Sequence, residues 1–67
     1  MDTMAKKQYV RDIIVRVNAN EHCTQEEITK ALNYFEELTI NGTLFGTRAE
    51  TMHIGGLLSA ALGNVSK

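Results

Sequence analysis

The run TMHIGGLLSAALGNVS, residues 51–66, contains no Asp, Glu, Lys or Arg, although those four types make up 22% of the chain. Read at helical spacing, Ile54, Leu57, Leu58, Ala61, Leu62 and Val65 form one continuous apolar stripe. A second face is built of small residues: Gly55, Ser59 and Gly63 recur every four positions, as do Gly56 and Ala60. Each interior glycine costs a helix about 1 kcal/mol relative to alanine, so a packing reason is expected for them. Small residues at that spacing let a neighbouring backbone approach closely, as they do in membrane helices. Spanning a bilayer takes about 20 apolar residues, more than this run supplies. The segment reads as a packed helix of about 47–63. Its opening Thr47-Arg48-Ala49-Glu50 is a capping box.

The whole chain is 67 residues with a net charge of −1, which makes residues 1–67 one small domain. At this size folding buries only about 60% of the unfolded surface, so disulfides, metal or oligomerisation commonly complete the fold. A single cysteine, Cys23, rules out an internal disulfide. No CxxC or HxxxH spacing is present to hold a metal, His22 and Cys23 being adjacent and His53 isolated. Oligomerisation remains, and it agrees with an uncharged final helix. We therefore expect self-association through Gly55, Gly56, Ser59, Ala60 and Gly63. The N-terminus has no apolar run of signal-peptide type, and a cytoplasmic location is expected.

Working back from the final helix, Thr24-Gln25-Glu26-Glu27 is a further capping box, opening a helix over about 24–40. Cys23 and Ile28 occupy the hydrophobic-staple positions around it. Ile28, Ala31, Leu32, Phe35 and Leu38 form its buried stripe, Glu26 and Lys30 an i,i+4 pair on the other side, and Asn41-Gly42 its stop. An alternative for residues 38–46 is a small hairpin of Leu38–Ile40 against Thr43–Phe45, turned at Asn41-Gly42. Residues 1–4 are expected to fray. From about 5 to 18, Val10, Ile13, Ile14 and Val17 make a first amphipathic helix, the β-branched IIVRV core offering a strand as the competitor. The expected fold is thus an all-α, three-helix domain, completed by homo-oligomerisation.

Charge divides the chain. Residues 1–20 carry Lys6, Lys7, Arg11 and Arg16 against Asp2 and Asp12, and residues 21–50 carry six glutamates against Lys30 and Arg48. Contact between the basic start and the acidic middle, within or between chains, follows from this. Glu36 and Glu37 lie near a helix C-terminus, where the dipole disfavours anions. With Tyr34 beside them they are the candidate surface for a protein partner.

Catalytic chemistry finds no support. There is no phosphate-binding glycine loop, no nucleophile elbow at Ser59 or Ser66, and no residue to orient a Cys23–histidine pair. No catalytic residue, metal ligand or cofactor is assigned. The expected function is a small non-enzymatic helical protein that self-associates and binds, modulates or inhibits another macromolecule, a type common among phage, plasmid and bacterial accessory proteins. A DNA-binding regulator of helix-turn-helix or winged-helix type is the alternative. TQEEITKALNYFEELTINGTLFGT is similar to the helix, strand and wing rhythm of winged-helix domains, but its glutamates oppose phosphate contact.

Two shorter tracts resemble other families. Asn18 to Thr39, containing TQEEITKALNYFEELT with its Phe35-Glu36-Glu37, is similar to the second-helix region of colicin immunity proteins, over less than a third of the chain and without that family's tyrosine pair or strongly acidic surface. MHIGGLLSAAL resembles the closing helix of small phage proteins that sequester cyclic nucleotide signals. These resemblances imply toxin neutralisation or signal-nucleotide sequestration as minor options, and neither transfers a ligand-binding residue.

Overall fold

The structure, a computed structural model, describes residues 2–43 and 45–65. Three helices follow one another: α1 Thr3–Asn18, α2 Gln25–Ile40 and α3 Arg48–Val65. The all-α, three-helix reading holds. Helix α2 is central and packs on both neighbours, while α1 and α3 touch sparingly. No helix among the described residues is long and apolar enough to cross a membrane.

Each helix begins where a side chain can satisfy its free N–H groups. Asp2 accepts from the Ala5 N–H at 2.8 Å, so α1 starts two residues earlier than its apolar periodicity suggests. In α2 both halves of the capping box form, Glu27 N–H donating to Thr24 Oγ1 at 3.1 Å and Thr24 N–H to Glu27 Oε1 at 3.0 Å. Thr47 and Glu50 repeat the arrangement at the start of α3.

The helices also stop for visible reasons. After α2, the Gly42 N–H donates to the Thr39 carbonyl and the Thr43 N–H to the Leu38 carbonyl at 2.8 Å. This is a Schellman stop, with Gly42 at a φ of +87° supplying the left-handed residue. The hairpin alternative for residues 38–46 is therefore not what forms: α2 continues through Ile40, and no strand occurs among the described residues. Leu44 lies outside them. Helix α1 ends in the same pair of bonds, from Asn20 to Val17 and from Glu21 to Arg16.

Val10 and Ile13 of α1, Cys23, Ile28, Ala31, Phe35 and Leu38 of α2 and its entry, Phe45, and Leu58 and Ala61 of α3 form the core. The stripes predicted from periodicity supply most of it, and both staple residues are buried. Burial of one such large side chain is worth about 1.5–3 kcal/mol. Phe45 leaves the connection to pack its ring 5.4 Å from that of Phe35. Thr51 holds it there. Its Oγ1 accepts the Phe45 N–H at 2.9 Å and donates to the Thr47 carbonyl at 2.9 Å. This threonine is the buried polar residue of the fold among those described.

Candidate functional site

At 100° per residue, Met52, Gly56, Ser59 and Gly63 fall within a sector of roughly 60° on α3, with Ala60 at its edge. That sector faces water: Met52 is 73% exposed, and Gly56, Ser59, Ala60 and Gly63 are all exposed. A Cβ at Gly56 or Gly63 would meet nothing within 4 Å. Gly55 behaves differently. It turns inward to α2, where a Cβ would come within 3.0 Å of Phe35 Cε2. Of the five small residues predicted for self-association, the chain thus employs Gly55 in its own packing and leaves the other four on the outside.

Beside this face runs an open groove between the end of α2 and the start of α3. Phe35 and Thr51, both buried, lie deepest in it, Thr39 and the exposed Met52 border it, and Arg48 is the charged residue lining it. Gly55 and Gly56 keep it clear of side chains. Ile40, at the last turn of α2, is 84% exposed. Periodicity pointed to Gly55 and Gly56 but not to the groove, because Phe35 and Arg48 meet there only through the packing of two helices.

The second predicted surface, Tyr34, Glu36 and Glu37, is divided by the structure. Tyr34 is half-buried against Tyr9, edge to face, with ring centroids 5.6 Å apart. Lys6 lies 5.7 Å from the centre of the Tyr34 ring, and Lys30 lies 5.2 Å and 5.8 Å from those of Tyr9 and Tyr34. Lys6 also pairs with Glu37 at 2.8 Å. The expected Glu26–Lys30 pair is absent, since Lys30 reaches across to the two tyrosine rings instead. A cation over a ring gains from the ring quadrupole, and the aliphatic stem covers apolar surface on the way. Only Glu36 of the three stands exposed with no ion pair among the described residues. Tyr9 was not singled out by sequence, and nothing local to it shows that it meets Tyr34.

The remaining charges tie the helices together. Arg16 donates to Glu27 Oε2 at 2.7 Å and to the His22 carbonyl at 2.6 Å. Hydrogen bonds from Thr24 N–H first, and from Arg16 second, hold the Glu27 carboxyl down to about 2. The bond to Glu27 raises the Arg16 guanidinium in turn. Burial raises the Tyr9 phenol, opposed in part by Lys30. Lys7 sits 5.6 Å from the centre of the Phe45 ring. Arg11 and Arg48 are left as cations without an ion pair or ring contact among the described residues, and they lie on different helices. His22 and His53 are exposed, Cys23 is a buried free thiol, and no cluster of three metal-ligating side chains occurs among the described residues.

Comparison with protein-family models, with curated proteins and with solved structures finds no match for this chain.

Proposed function

We propose that the chain is a small non-enzymatic interaction protein that pairs with a second copy through the outer face of α3 and acts by binding another macromolecule. One observation carries the reading: from Thr51 to Val65 no Asp, Glu, Lys or Arg occurs, yet the sector holding Met52, Gly56, Ser59 and Gly63 is exposed. A helix face open to bulk water ordinarily carries charge. Within the three helices the charged residues lie on α1, α2 and the first turn of α3. Small residues on that face let a second backbone approach closely, and Met52 supplies a flexible apolar side chain at one end.

Sedimentation across a concentration series tests it. The wild-type chain is expected to form a dimer or larger assembly. Gly56→Leu, placed where a Cβ meets nothing within 4 Å, is expected to dissociate it while leaving helix content unchanged. A Gly56→Leu chain with the wild-type mass would sink the proposal.

A further inference from the structure

We propose that the groove between α2 and α3 is filled by a second copy of this chain, whose Ile40 enters above Phe35 while its Glu36 pairs with Arg48. This deepens the reading of α3 as a self-association face and rests on it, since Met52 and Gly56 belong to both surfaces.

The groove is lined by Phe35, by Thr39 and Thr51, whose hydroxyls are already hydrogen-bonded within the chain, and by Arg48 as its charged residue, so an apolar side chain next to an acid suits it. The chain itself displays that pair. Glu36 and Ile40 lie one turn apart on α2 and so share a face; both are exposed, Ile40 to 84%. Neither Glu36 nor Arg48 has an ion pair within its own chain among the described residues. Plug and socket therefore sit on the same molecule. In a symmetric dimer each copy gives Ile40 and receives Ile40, and the Glu36–Arg48 contact is made twice.

Charge also explains why this occupant is favoured over an arbitrary apolar surface. Glu36 is disfavoured by the negative end of its own helix, and Arg48 by the positive end of α3. Pairing the two between copies relieves both mismatches together. Reversing either charge suits its own helix, so Glu36→Arg and Arg48→Glu are expected to fold as well as wild type.

The dimer dissociation constants of wild type, Glu36→Arg, Arg48→Glu, the double reversal and Ile40→Ser, measured by sedimentation with circular dichroism as the folding control, decide it. Each single reversal is expected to weaken the dimer by about tenfold or more, and the double reversal to return it to within about threefold of wild type. Ile40→Ser is expected to weaken it without loss of helix. A dimer indifferent to all four variants, but still dissociated by Gly56→Leu, overturns the groove assignment alone and leaves the groove to a foreign partner. A wild-type chain that stays monomeric throughout overturns the groove assignment and the α3 reading together.

Discussion

At Asn20 the chain adopts a φ of +58°, the non-glycine residue among those described that does so. The left-handed region suits asparagine better than most residues, but glycine enters it without the Cβ clash. Because the Schellman bonds from Asn20 and Glu21 use backbone alone, Asn20→Gly keeps them. It is expected to raise stability by up to about 0.5 kcal/mol, read as a shift in urea midpoint at unchanged slope. Glu27 couples stability to acid pH. Its carboxyl is lowered from 4.5 to about 2 by the Thr24 N–H and by Arg16. A folded-state pKa below the unfolded one contributes stability that is fully present above about pH 4.5 and is lost as pH falls through about 2. Glu27→Gln retains the capping geometry and removes the titration. Its unfolding free energy is expected to fall less steeply than that of wild type between pH 4.5 and 2. An unchanged slope would mean that the carboxyl is not held low.

The elements were legible wherever a local rule sets them. Thr24 with Glu27, Thr47 with Glu50, and Asn41-Gly42 are cap and stop residues whose partners lie within a few positions, and periodicity then assigns Ile28, Phe35 and Leu58 to the core. Contacts between elements were not legible. Lys30 forsakes Glu26 for two tyrosines, one of them on another helix, and Gly55 and Gly56 look alike until α2 is packed against one of them. That difference is measurable. Gly55→Val forces the Phe35 ring to move and is expected to cost about 1–3 kcal/mol. Gly56→Ala adds a methyl to open space and is expected to gain up to about 1 kcal/mol in a monomeric background. Equal effects in thermal melts at low protein concentration would contradict the placement of Phe35. The connection between α2 and α3 hangs on Thr51, which no pattern announced. Thr51→Val keeps the shape but leaves the Phe45 N–H without its acceptor. A loss of about 1–3 kcal/mol is expected, with the larger share of unfolding starting at the Phe45 segment in hydrogen exchange.

For the molecule as a whole, the split between a basic start and an acidic middle is answered within the chain by Lys6–Glu37 and Arg16–Glu27. Both are partly solvated pairs of the kind that contribute about 1 kcal/mol or less. They orient the helices more than they secure them. What the charges leave over is the uncharged outer face of α3 and the groove beside it, in a chain small enough that its core alone gives marginal stability. If the second copy covers that surface, folding and association are linked and the melting temperature depends on protein concentration. A hundredfold rise in concentration above the dissociation constant adds about 2.7 kcal/mol to a dimer, or roughly 1.4 kcal/mol per chain. In a domain of this size that corresponds to an increase in Tm of about 5–10 °C. The same series on Gly56→Leu, whose side chain starts from a Cβ with nothing within 4 Å, is expected to give a Tm that does not move. Parallel rises in both proteins would mean that the assembly being measured does not run through α3. A flat wild-type curve would mean that the three helices sustain the fold alone.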